Sequence, residues 1–188
     1  FLFLVNKMPL SFPSHFFRSD ILMDAAGVSP GHTIVDIYPG HHGPCTFEAA
    51  RRVGGHGRII AVDVRKTAVD SLLGRKTLGP YGHIEVVHGH PECYGGTGLA
   101  DGFADGIMLV HALSLAKERL ALVREAVRLL KSGGFIAIAD WHPFGGAYGA
   151  SVSRVSSLEA KSICIMSGAH PGKMIPVGDA HWAFVAIK

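Results

Sequence analysis

Asp36 lies near the end of the β-branched run Thr33-Ile34-Val35-Asp36-Ile37 and leads into Tyr38-Pro39-Gly40-His41-His42-Gly43. Gly40 and Gly43 allow a backbone to approach a ligand closely. The helix expected to start beyond them offers free N–H groups and a partial positive charge, which suit an anionic or polar group. Asp63 closes the next such run, 20 residues beyond Gly43. A carboxylate there can accept two hydrogen bonds from a ribose diol. Each feature alone reads equally well as a tight turn or a solvated aspartate; together they point to a nucleotide-type ligand.

Six histidines, His41, His42, His88, His90, His111 and His142, are expected along the same edge, with Cys45 and Cys93 near them in sequence. Imidazole and thiolate are transition-metal ligands. No HxxxH or CxxC spacing organises these residues into a set, so no metal site is assigned and they read as polar loop residues bordering a pocket. By alternation, His88 also reads as an ordinary strand residue.

Alternating strands and helices must position these groups. Strands are predicted over residues 33–37, 58–64, 84–87, 107–110 and 135–140. The near-continuous Ile59-Ile60-Ala61-Val62 suits a strand buried on both faces of a parallel sheet. Helices are predicted over residues 14–26, 46–53, 66–73 and 116–131. In the last of these, Leu120, Val123, Val127 and Leu130 form one stripe, with Arg124 and Arg128 mostly off it. Ser132-Gly133-Gly134 is read as its end. Ser156 and Glu159 form a capping box for a further helix ending near Gly168. Residues 173–177 and 181–187 read as an antiparallel pair around Gly178-Asp179. Ligands of such open sheets bind at the carboxyl ends of the strands, where strand order reverses.

Composition narrows the class. The 188 residues are 48% hydrophobic and 18% charged, which suits one domain with a buried core and excludes a disordered chain. The 24 glycines have no three-residue period, which excludes collagen. The net charge of +3 comes from scattered residues rather than a basic run, so nucleic acid is not expected as the main partner. Three cysteines without CxxC spacing suit a reducing compartment. The apolar opening Phe1–Val5 is far short of a membrane span, and it lacks the charged start and cleavage site of a signal peptide. A cytoplasmic location is therefore expected. The sequence opens on Phe1 rather than Met, which points to upstream native residues or an upstream start.

The stretch from Thr33 to Trp141 resembles a class I S-adenosylmethionine-dependent methyltransferase, and most of all the small ubiquinone/menaquinone-biosynthesis type. Asp36 and Gly40 resemble the family's acid and glycine-rich motif. Ile60-Ala61-Val62-Asp63 resembles its second strand and ribose-binding acid. Phe103-Ala104-Asp105-Gly106-Ile107 resembles the lead into its fourth strand, and Leu129-Leu130-Lys131-Ser132-Gly133-Gly134-Phe135 its Leu-Lys-Pro-Gly-Gly turn, with Ser132 replacing Pro. Asp140-Trp141, the capped helix and the final hairpin also match. The glycine motif departs from the family pattern: Tyr38 stands at the first glycine and His42 at the third, with Gly43 one residue later. His90 stands where the family often has an acid beside the adenine.

The resemblance implies an α/β, three-layer Rossmann-like class I methyltransferase fold. Its seven-stranded sheet is mostly parallel with an antiparallel C-terminal hairpin, and residues 1–32 form an N-terminal capping region. It implies S-adenosylmethionine as cofactor, held by Asp36, Tyr38, Gly40, His42 and Gly43 around the methionine part, Asp63 and Val64 at the ribose, and His90 and Pro91 beside the adenine. The partner is a small-molecule methyl acceptor, and an oligomer is compatible with this reading. Methyl transfer from a sulfonium relies mainly on alignment. An acceptor needing deprotonation would use a histidine, for which His111 and His142 are the candidates. Trp141, Phe144 and Tyr148 could wall the donor, or simply pack in the core. The alternative is a non-catalytic protein of the same fold with an altered pocket, which could take a metal through its histidines.

Overall fold

A computed structural model describes residues 17–142 and 153–188. The elements are α1 (Ser19–Ala25), β1 (Thr33–Ile37), α2 (Pro44–Val53), β2 (Arg58–Asp63), α3 (Lys66–Lys76), β3 (Ile84–His88), β4 (Ala104–Val110), α4 (Ala112–Leu115), α5 (Arg119–Leu129), β5 (Leu130–Trp141), α6 (Ser157–Met166), β6 (His170–Met174) and β7 (His181–Ile187). They build one seven-stranded sheet of order β3-β2-β1-β4-β5-β7-β6. Strands β1 to β5 run parallel, while β7 runs antiparallel to both of its neighbours. Strand order reverses between β1 and β4. The start of the first predicted helix, Phe144 and Tyr148 lie outside the described residues.

Burial explains the layers. Ile59, Ile60, Ala61 and Val62 are wholly buried, alternate residues facing opposite sides of the sheet. Ile60 and Val62 join a core under α4, α5 and α6. Ile59 and Ala61 join a second core under α1, α2 and α3. Gly43 opens α2 from the left-handed region, φ 50°, and Pro44 takes the first helical turn, where its missing N–H costs nothing. The N-cap at α6 forms as expected, with the Glu159 N–H donating to Ser156 Oγ at 3.1 Å, while the Glu159 carboxylate accepts from Arg119 rather than closing the box.

Several boundaries differ from expectation. β4 begins at Ala104, and the short α4 follows it. Helix α5 stops at Leu129, and Leu130 already pairs with Ala104, so the Gly133-Gly134 turn lies inside β5. There Gly133 donates to the Lys188 carbonyl and Lys188 donates back to Gly134. β6 ends at Met174 because Pro176 has no N–H with which to extend a ladder. Val177 instead accepts the Arg18 N–H, tying this segment to the start of α1.

The buried stripe of α5 is Leu122, Val123, Ala126 and Leu129, and it includes a charge, Glu125. Glu125 accepts from the Gly95 N–H at 2.9 Å, from Thr97 Oγ1 at 2.6 Å and from the Arg128 guanidinium at 2.8 Å. Arg128, expected mostly off the stripe, has a side chain only 8% exposed. Burial pushes the Glu125 carboxyl up, but these bonds outweigh it and take the pKa down to about 2. The buried pair thus anchors the long loop after β3. A carboxylate whose pKa falls on folding contributes stability that is complete above its unfolded value and lost as pH falls toward the folded one. Glu125→Gln is therefore expected to cost on the order of 3 kcal/mol at pH 7 and to flatten the loss of stability between about pH 4.5 and 2, as followed by urea unfolding. An unchanged acid limb would show that the carboxylate does not anchor the loop.

Candidate functional site

The carboxyl edge of the sheet divides at the β1/β4 reversal. On one side stand the loops after β1, β2 and β3. The loop after β1 is pinned from α3: Ser71 Oγ donates to the His41 carbonyl at 2.8 Å, and His41 Nε2 lies 3.2 Å from Thr67 Oγ1. The Arg75 guanidinium donates to the His42 carbonyl. Both imidazoles are exposed, so His42 contributes its backbone, rather than its ring, to the packed loop. Gly40 has φ 73°, with open space where a Cβ would stand. Gly43 differs: a Cβ there would collide with Leu72 and Thr46, so this glycine serves helix packing.

Asp36 lies beneath that loop, 1% exposed, and accepts from Thr46 Oγ1 at 2.6 Å. Burial, opposed by that bond, raises its pKa to about 7. It thus ties β1 to the first turns of α2. Tyr38, at the first glycine of the motif, adopts φ 61°, a strained conformation for a residue with a side chain. Its ring is buried in the core, and its hydroxyl donates to Glu92 Oε1 at 2.6 Å. Burial and then the Glu92 bond push the phenol well above its usual pKa. Glu92 Oε2 accepts the N–H groups of Lys117 and Glu118, at 2.8 and 2.7 Å, at the start of α5. Against the upward push of burial, these bonds hold Glu92 below the usual carboxylate range. Tyr38 and Glu92 therefore form a strut from the end of β1, through the loop after β3, to α5.

Asp63 is fully buried at the end of β2 and is engaged by Arg65. Oδ1 accepts from the Arg65 N–H and Nε, each at 2.9 Å, and Oδ2 accepts from Nη2 at 2.7 Å. The Arg65 side chain is 40% exposed, so it has room to swing away. Val64 beside it is half-buried, and its carbonyl accepts from His88 Nε2 at 2.8 Å. His90 is exposed, with its backbone closing a turn to Cys93 and Gly96, while Pro91 is buried.

The other side of the edge is aromatic. His111 follows β4, Trp141 ends β5 and His181 starts β7. Trp141 stacks on His111 at 4.7 Å between centroids and lies 4.2 Å from His181, and Phe17 packs on both imidazoles at 5.6 and 5.2 Å. Burial takes His111 down to a pKa of about 4, so it is neutral at pH 7. His142 is exposed; its backbone N–H donates to Ala180 and its carbonyl accepts from Arg154. Asp140 is consumed locally, accepting from the Ser114 N–H and hydroxyl and from the Trp141 N–H. No group of three or more His, Cys, Asp or Glu among the described residues is placed to hold a metal ion.

The sequence had singled out Tyr38, Asp63, His111 and Trp141, but not the partners Arg65, Glu92 and His181. Arg65 carries no signal beyond being one of the scattered basic residues. His181 reaches Trp141 through the β5–β7 register, which no local spacing reveals.

A family profile described as a methyltransferase domain matches residues 40–138, and the chain belongs to that family. It is 27% identical over 163 residues to the ubiquinone/menaquinone biosynthesis C-methyltransferase UbiE of Escherichia fergusonii, covering 80% of this chain and 62% of the relative. It is 28% identical over 149 residues to the 2-phytyl-1,4-naphtoquinone methyltransferase of a Synechocystis species, covering 77% of this chain and 60% of the relative. The chain thus spans about three fifths of these curated relatives. Among solved structures, a SAM dependent methyltransferase from Aquifex aeolicus superposes with a TM-score of 0.80 at 21% identity, covering 91% of this chain and 89% of that one. The [4+2]-cyclase SpnF superposes at 0.76 with 12% identity, covering 90% and 79%. The Rossmann-like class I methyltransferase fold is thereby established. Among the described residues, no helix is long and apolar enough to cross a membrane.

Removing the Tyr38 hydroxyl tests the strut. Tyr38→Phe is expected to cost about 1.5 kcal/mol in urea unfolding at pH 7, the scale of one hydrogen bond to a charged acceptor. No measurable loss would mean that the bond to Glu92 holds nothing in place.

Proposed function

We propose that residues 1–188 form one methyltransferase domain that binds S-adenosylmethionine and transfers its methyl group to a small-molecule acceptor. The observation that carries this reading is the pairing of an open, left-handed Gly40 loop after β1 with the strand-end carboxylate Asp63 after β2, beside the β1/β4 reversal. The donor set fits the cofactor once Arg65 releases Asp63. Asp63 would then accept the ribose hydroxyls. The Gly40 backbone would face the methionine part, with Tyr38, His42 and Gly43 completing the loop and Asp36 bracing it from below. Val64, His90 and Pro91 would border the adenine.

When bound, the cofactor supplies an electrophilic methyl carbon, and the chain's own contribution is alignment. The strut from Tyr38 through Glu92 fixes the distance between the loop after β1 and the start of α5. His111, neutral at pH 7, can accept a hydrogen bond from the acceptor through a ring nitrogen, and the exposed His142, directly after β5, is the second candidate base. One curated relative is named for ubiquinone/menaquinone biosynthesis and another for 2-phytyl-1,4-naphtoquinone, which supports a quinone-type acceptor here. The three cysteines are free, two buried and one exposed, in keeping with a cytoplasmic setting.

One observation favours a second reading, a non-catalytic protein of this fold: Arg65 satisfies both Asp63 oxygens without any ligand. Calorimetry with S-adenosylhomocysteine separates the two. Saturable binding is expected, weakened at least about tenfold in Asp63→Ala and strengthened in Arg65→Ala, since charge-assisted bonds are among the stronger polar contacts. The absence of binding at millimolar ligand would remove the methyltransferase reading.

A further inference from the structure

Among the described residues, the buried side-chain polar atoms that lack a hydrogen-bond partner are His111 Nε2, His181 Nδ1 and His181 Nε2. All three fall in one cluster, where the imidazole centroids lie 4.9 Å apart. Folded proteins leave few such atoms, because an unpaired buried donor or acceptor forfeits its hydration. His111 also bears backbone strain, with φ 58°. Strain and unpaired nitrogens thus coincide on the ligand-binding edge, at the ends of β4, β5 and β7.

We propose that His181, with His111, forms a binding site for the hydroxyl group of an uncharged methyl acceptor, with Trp141 and Phe17 as its apolar walls. This rests on the methyltransferase reading above. The hydrogen-bond inventory selects the ligand class. His181 is only 4% exposed, and burial, aided by His111 and His142, takes its pKa down to about 4. A neutral imidazole carries one N–H donor and one lone pair. An anion would leave the lone pair unmatched and a cation the N–H. A hydroxyl, which both donates and accepts, can bridge the two rings, accepting from the N–H of one imidazole and donating to the lone pair of the other. Asp140, one strand position before Trp141, is already bonded to Ser114 and to the Trp141 N–H and is not offered to His181. His181 is thus a residue for binding and orienting the acceptor, and it lies across the β1/β4 reversal from Asp63.

The test uses the whole protein with 1-naphthol as a hydroxyl-bearing probe, 1-naphthoate as its anionic counterpart and S-adenosylhomocysteine for the cofactor side. Calorimetry is expected to show saturable 1-naphthol binding and at least about tenfold weaker 1-naphthoate binding. His181→Phe should weaken 1-naphthol at least about tenfold, the scale of losing a buried hydrogen bond. His181→Gln, whose amide both donates and accepts, should stay within about threefold. Neither variant should change the affinity for S-adenosylhomocysteine, and that unchanged affinity verifies that each variant is folded. Equal binding of 1-naphthol by wild type and His181→Phe, or 1-naphthoate binding as tightly as 1-naphthol, would overturn the proposal. So would S-adenosylhomocysteine binding without any 1-naphthol binding. The reverse pattern, 1-naphthol binding without S-adenosylhomocysteine, would support the site while removing the methyltransferase reading beneath it.

Discussion

Between Ile34 and Asp36, β1 pairs with β2 on one side and with β4 on the other, all parallel. From β1 the chain winds outward through β2 to β3, then crosses back to place β4 on the opposite side. The successive loops therefore diverge at this line and leave a crevice at the carboxyl edge. Ile34, Val35 and Ile37 of β1 and Ile107 and Leu109 of β4 are wholly buried. Packing occupies the strand interiors, so the candidate site residues Tyr38, Asp63, His111 and Trp141 stand at the strand ends.

The two halves of that edge are built on opposite electrostatic terms. Around β1, β2 and β3, the polar groups are matched: buried Asp63 by Arg65, half-buried Glu92 by Tyr38 and two backbone N–H groups, and buried Asp36 by Thr46. A ligand entering there must exchange existing bonds for its own. Across the reversal, His111 and His181 are neutral and have unpaired ring nitrogens. A ligand there gains bonds without breaking any, provided that it can fit among the rings. The first half suits a polar, charged cofactor and the second an uncharged acceptor.

Much of the architecture was legible from local pattern. Ile59–Val62 suited a doubly buried strand, as it is, and Ser156 with Glu159 marked the start of α6. Boundaries decided by partners distant in sequence were not. Gly133 and Gly134 look like a helix terminus until Lys188 pairs with them. Glu125 looks like a surface acid on α5 until the loop at Gly95 and Thr97 folds onto it. The site divides in the same way. Asp63 and the Gly40 loop were visible because their spacing is set within one βαβ unit. Arg65 sits next to that motif, yet its side-chain direction is decided only on folding. His181 lies 70 residues from His111 and meets it because β7 returns antiparallel beside β5.

A crystal structure with S-adenosylhomocysteine bound tests the central claim most directly. The account predicts the ligand along the β1/β2 side of the crevice, its ribose hydroxyls on Asp63 and the Arg65 guanidinium displaced from that carboxylate. Its homocysteine part should lie against Gly40, with His181 left free for the acceptor. A ligand bound elsewhere while Arg65 still holds both oxygens of Asp63 would contradict the account.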